Sequence, residues 1–94
     1  MTRLRVSVVI PVHNGMPHVK ETIESVRRQT RAPDEVIILE NGSTDGTREW
    51  LESVDLGPFR VLFQPELVPA GQNWTDAVGH SSGDLVKLLC ADDL

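Results

Sequence analysis

Short apolar runs alternate along this chain with stretches in which apolar positions recur every three or four residues. Residues 5–12 (Arg5-Val6-Ser7-Val8-Val9-Ile10-Pro11-Val12) are β-branched without clean alternation, which suits a central parallel strand covered on both faces. Pro11 has no N–H for a ladder, so pairing is expected to stop near it. After His13-Asn14-Gly15 the period changes. Val19, Ile23, Val26 and Thr30 are separated by Lys20, Glu21, Glu24, Arg27 and Arg28, an amphipathic helix with Pro17 in its first turn.

Residues 31–34 end that helix, and residues 35–40 (Glu35-Val36-Ile37-Ile38-Leu39-Glu40) read as a second buried strand. The polar turn 41–46 is rich in helix-capping side chains, and Trp50, Leu51 and Val54 give a short second helix. Leu56-Gly57-Pro58 breaks it before a third strand at 59–64. A loop with Pro65 and Pro69 leads to a third helix near 71–81, with Trp74, Ala77, Val78 and Ser81 on one face despite Gly79. Ser82-Gly83 then opens a last apolar run, 84–94, expected to be a strand buried on both faces and ending in Asp92-Asp93. Such β-α-β-α-β-α-β alternation builds a parallel sheet with helices on both faces and right-handed crossovers. The Asn-Gly pairs at 14–15 and 41–42 precede helical periods rather than returning strands, so hairpins are rejected.

Composition narrows the picture without changing it. The 94 residues make one small domain or part of a larger one, and 39% apolar with 24% charged residues is ordinary for a globular chain. A net charge of −5 with scattered Lys and Arg argues against nucleic-acid binding. The cluster Arg27, Arg28, Arg31 reads as a helix C-terminus, where cations complement the dipole. The single Cys90 cannot form an internal disulfide and sits in the apolar run as a small buried hydrophobe. No apolar segment has the length of a membrane span or of a signal-peptide core, so the cytoplasm, or the cytoplasmic face of a membrane, is the expected location.

In an open parallel sheet, ligands bind beyond the carboxyl ends of the strands where strand order reverses. With the order 3-2-1-4, that point lies between strands one and four. Pro11-Val12-His13-Asn14, residues 40–45 and Asp92-Asp93 then converge on one crevice. Neither G-x-G-x-x-G nor the P-loop motif is present, so phosphate binding needs another source of positive charge. The paired aspartates point to Mg2+ or Mn2+ shared with diphosphate oxygens. Plainer readings stand beside these. Asp92-Asp93 also suits a turn cap, Ser43, Thr44 and Asp45 helix caps, Asn14-Gly15 a tight turn, and Glu40 a strand end. His13, His18 and His80 suit solvated positions, and Trp50 and Trp74 suit core packing.

Val6-Ser7-Val8-Val9-Ile10-Pro11-Val12-His13-Asn14-Gly15, then Glu40-Asn41-Gly42-Ser43-Thr44-Asp45-Gly46-Thr47, then Asn73 and Asp92-Asp93 closely resemble family 2 glycosyltransferases of the GT-A fold. The resemblance runs over the whole chain and in order. It implies that residues 1–94 are the Rossmann-like, N-terminal donor-binding portion of such an enzyme, cut after the Asp-Asp motif. The parent would transfer a sugar from a nucleoside-diphosphate sugar, UDP-sugar being the expected donor, to an acceptor such as a growing glycan in cell-wall or polysaccharide biosynthesis. Inversion and dependence on a divalent metal are implied as well. Pro11, Val12, His13 and Asn14 would flank base and ribose, and Glu40 and Asn41 would reach the base. Ser43 and Asn73 complete the nucleotide contacts, with Asp92 on the ribose or sugar side and Asp93 on the metal. The family's general base lies in the acceptor half. No residue here matches it, so the chain alone is expected to be inactive and to self-associate through an exposed flank of strand four.

The chain also departs from the family pattern. His13 stands where an aromatic residue is usual, Asn41 where the second acid of an Asp-Asp pair stands, and Gln72 where an Arg is frequent. Cys90-Ala91 removes the first acid of the common D-x-D. The alternative from another class is a non-catalytic nucleotide-binding or interaction module. A nucleotidyltransferase would want a basic glycine-rich loop after strand one, and none is present.

Overall fold

The computed structural model describes residues 4–29 and 32–89. In chain order these form β1 (Val6–Val12), α1 (His18–Arg27), β2 (Glu35–Glu40), α2 (Thr47–Ser53), β3 (Arg60–Phe63), α3 (Ala70–Gly79) and β4 (Leu85–Leu88). All strand pairs are parallel, as the alternation predicts, and the sheet order is the expected β3-β2-β1-β4.

Alternate residues of the central strands supply two apolar layers. Val8, Ile10, Val12, Val36 and Ile38 pack against Val19, Ile23 and Val26 of α1 and Leu51 of α2. Val9, Ile37 and Leu39 face the other way, against Ala77 of α3. β1 and β2 therefore read as continuous apolar runs because both of their faces are covered.

Pro11 does not end the pairing of β1. The register with β2 continues through Pro11 opposite Leu39 and Val12 opposite Glu40. Successive residues of a parallel strand bond to opposite neighbours. The Val12 carbonyl accepts from Asn41 N–H on the β2 side, whereas the Val9 carbonyl accepts from Leu89 N–H on the β4 side. Pro11 shares the parity of Val9, and β4 pairs no further along β1 than Val9 with Leu88. Among the described residues, the missing N–H thus falls beyond the last paired residue of β4.

Two expectations about burial need correction. β4 is not buried on both faces: it is an edge strand, with Leu85, Val86 and Leu88 exposed by 52%, 40% and 40%. Trp74 is not core either, being 44% exposed, and the sheet-facing stripe of α3 is Asn73 and Ala77. Trp50 is half-buried against the α1 and α2 layer, with the Lys20 ammonium 5.4 Å above its ring. No helix among the described residues is long and apolar enough to cross a membrane.

At the foot of the sheet a polar knot fixes the register. The Ser7 hydroxyl donates to Glu35 Oε1 at 2.8 Å and accepts from Gly83 N–H at 2.9 Å, while Ser82 N–H donates to the same Glu35 oxygen at 2.9 Å. These bonds, led by the one from Ser82 N–H, hold the Glu35 carboxyl below its ordinary value against the opposing effect of its burial. β1 is thereby bound to both of its neighbours at one level.

Candidate functional site

β1 and β2 end side by side, and the loops that follow them are stitched together. His13 Nδ1 lies 2.6 Å from the Asn41 carbonyl oxygen. A carbonyl only accepts, so Nδ1 carries a hydrogen, and the Asn14 Nδ2 lies 3.4 Å from the other ring nitrogen, Nε2. Asn14 takes the left-handed conformation, φ 49°, which Asn tolerates better than most residues. Its N–H donates to Ser43 Oγ at 2.8 Å, and its Oδ1 accepts from Thr44 N–H at 2.7 Å. Gly15 N–H reaches Thr47 Oγ1 and Met16 N–H reaches Asp45 Oδ2, both at 3.1 Å.

Asp45 also receives the Thr47 N–H at 3.0 Å and the Thr47 hydroxyl at 2.5 Å, holding the start of α2 from two residues ahead of its first residue. Burial alone would raise this carboxyl. The bonds from Thr47 and Met16 outweigh it, and Asp45 sits below its ordinary value. Ser43, Thr44, Asp45 and Thr47 therefore spend their polar groups on the neighbouring loop and on the helix start.

Beneath the loops Glu40 is wholly buried. Its Oε1 accepts from Ser43 N–H at 2.7 Å, and its Oε2 has no hydrogen-bond partner among the described residues. A buried carboxylate oxygen without a donor is costly, and a donor from outside the chain would relieve it.

The third wall comes from residues 64–70. Gln64 N–H donates to the Glu40 carbonyl, and its side-chain amide donates to Asn73 Oδ1 at 3.1 Å and Asp76 Oδ2 at 2.8 Å. The Asn41 amide pairs with a single peptide of this loop: Nδ2 donates to the Val68 carbonyl at 2.8 Å, and Oδ1 accepts from Val68 N–H at 3.0 Å. Leu67 lies over Gly42, where a Cβ would come within 3.1 Å of the Leu67 Cβ. His13, Asn41, Leu67, Val68, Pro69 and Ala70 line an open recess of about 400 Å³.

Of the residues singled out in the sequence, His13 and Asn41 line this recess, and Asn14 is exposed next to His13. Pro11, Val12, Glu40, Ser43 and Asn73 are buried. Asn73 in particular turns its amide into the fold, with Nδ2 3.4 Å from the Leu39 carbonyl. Asp92, Asp93 and Cys90 lie outside the described residues. Sequence reasoning missed Leu67, Val68, Pro69 and Ala70. The available signal was an apolar pair held between Pro65 and Pro69 on the loop leaving β3, at the same end of the sheet as the other loops.

A model of the family described as glycosyl transferase family 2 matches residues 7–94. The chain belongs to that family. TuaG of Bacillus subtilis (strain 168), named for teichuronic acid biosynthesis, is 32% identical over 90 residues, covering 94% of this chain and 36% of TuaG. Among solved structures, the family 2 chain is similar to the mannosyltransferase PcManGT of Pyrobaculum calidifontis in complex with GDP-Man and Mn2+. The TM-score is 0.79 at 28% identity, with 98% of this chain and 28% of that one covered. It is similar also to glucosyl-3-phosphoglycerate synthase of Mycobacterium tuberculosis, solved with Mn2+, UDP and glucosyl-3-phosphoglycerate. There the TM-score is 0.76 at 27% identity, with 95% and 34% covered. The fold is the N-terminal half of a GT-A glycosyltransferase. The chain spans about a third of the length of TuaG and of these two solved neighbours, and less of some other relatives.

Proposed function

We propose that this chain is the donor-binding portion of a glycosyltransferase that moves a sugar from a nucleoside-diphosphate sugar to a growing glycan or a similar acceptor, with inversion. The observation that carries the reading is the recess between His13, Asn41 and residues 67–70, at the carboxyl end of a doubly wound sheet. The similarity to structures holding GDP-Man or UDP supports it. The nucleotide base enters the recess against the imidazole of His13. The stitched loops 13–16 and 41–47 hold their shape around it, so little ordering is required on that side.

Asp93 is proposed to hold Mg2+ or Mn2+. Carboxylate oxygens suit either ion, and the neighbours solved with Mn2+ support a divalent ion as the partner of the donor. Among the described residues no group of three or more His, Cys, Asp or Glu side chains is placed to hold a metal. When bound, the ion would neutralise charge developing on the leaving diphosphate. This chain supplies binding and orientation, and proton abstraction from the acceptor belongs to a residue outside it. TuaG, named for teichuronic acid biosynthesis, supports a role in cell-wall or polysaccharide assembly.

Calorimetric titration with UDP and GDP, with and without Mn2+, tests the reading. Metal-dependent binding that weakens about tenfold or more in Asp93→Ala is expected, a loss of about 1.4 kcal/mol. Absence of binding by either nucleotide in the presence of Mn2+ would instead favour a module that keeps the fold without a donor site.

A further inference from the structure

Asn41 carries an inference that deepens, and rests on, the nucleotide reading. It stands at the mouth of β2, where a polar side chain invites the role of reading the base. Its surroundings assign it another. Asn41 is 2% exposed, and its amide is engaged at both ends by one peptide, that of Val68. This is the two-bond pattern of a backbone pair, made by a side chain.

The segment it grips has few other attachments to the sheet. Pro65 and Pro69 bring no N–H. Gln64 N–H is held at the Glu40 carbonyl, and the Pro69 carbonyl accepts from Asn73 N–H at the start of α3. Between those anchors Val68 is tied to the end of β2 by Asn41, and the Leu67 side chain rests on Gly42. Leu67, Val68, Pro69 and Ala70 form the wall of the recess opposite His13. Turning the amide toward a ligand would break both bonds and release that wall.

We propose that Asn41 is a positioning residue, which clamps the Val68 peptide so that the 65–69 loop stands ready as one wall of the nucleotide recess, and that it does not discriminate between bases. An Asn is required because its two ends differ. A carboxylate of the same shape would accept from Val68 N–H but set its second oxygen against the Val68 carbonyl.

The test combines amide hydrogen exchange with titration. In the ligand-free wild type the Val68 N–H exchanges slowly relative to an unstructured peptide, and this arm needs no variant. In Asn41→Asp it exchanges at least about tenfold faster, and UDP, GDP and CDP with Mn2+ all bind about tenfold more weakly by a common factor. The melting temperature stays within a few degrees of wild type, which separates loss of the clamp from general destabilisation. A changed ranking of the three nucleotides would overturn the proposal, because it would make Asn41 a reader of the base. Wild type that binds nucleotide while Val68 exchanges freely would overturn the clamp and keep the donor site. Wild type that protects Val68 yet binds none of the three would overturn the donor site and keep the clamp.

Discussion

At Gly83 a missing side chain makes room for a hydrogen bond. A Cβ there would lie 2.5 Å from Ser7 Oγ, 2.9 Å from Ser7 N and 3.0 Å from the Arg5 carbonyl. Backbone atoms on two of three sides leave little room to yield. Gly83→Ala is expected to cost about 1–3 kcal/mol, the range for overpacking a tight site, measured as a lower urea midpoint with an unchanged slope. A variant as stable as wild type would mean that β4 shifts easily along β1. Glu40 presents the opposite case, a side chain with one carboxyl oxygen that finds no partner among the described residues. Together they show how a single atom decides what each end of the sheet tolerates: the foot is closed around Ser7, and the mouth still has an acceptor to offer.

Among the described residues, β4 combines an unpaired flank with exposed apolar side chains. Val86 and Leu88 pair with Ser7 and Val9, whose side belongs to α3, while Leu85 and Lys87 lie on the α1 and α2 side. An open flank lined with Val and Leu is a template for another strand. The chain is therefore expected to associate as its concentration rises, and Leu88→Lys to reduce the association, both followed by light scattering. A monodisperse monomer at high concentration would remove the expectation. The elements and their order in the sheet were legible because periodicity reports which residues need cover. The face of α3 was not. Trp74 and Val78 look like its buried stripe, yet Asn73 takes the inner position because Leu39 and Gln64 present polar groups there. Apolar patterning is blind to such a demand. It is equally blind to the knot of Ser7, Glu35 and Gly83, whose members are 28 and 76 residues apart, and to a recess whose wall is an irregular loop. His13 and Asn41 were found because they follow strands directly. Their partners were not, since nothing in the loop's composition reveals that one peptide is held by one amide.

For the molecule as a whole, two carboxyls couple folding to pH. Glu35 and Asp45 are both depressed in the folded state, Glu35 chiefly by Ser82 N–H and Asp45 by Thr47 and Met16 in excess of its burial. Their contribution is complete above their unfolded values, about 4, and is lost as the pH falls through the lower folded values. The melting temperature is expected to fall as the solution is acidified below about pH 4. Glu35→Gln keeps acceptors for Ser7 and Ser82 but should lose about 1 kcal/mol at neutral pH and show a shallower acid limb. An acid limb identical to wild type would show that the knot does not titrate with folding.

The place of β1 at the centre of the sheet also has a consequence in time. It is synthesised before both of the strands that flank it in the sheet. β2 follows soon after, and Ser7 meets Glu35 across only 28 residues. The other neighbour arrives late: Arg5 N–H bonds to Asp84 across a separation of 79 residues. Closing so long a loop is slow and entropically costly. A nascent chain therefore carries a nearly finished α/β unit whose central strand stays bare along one side until almost the last of these residues has been added.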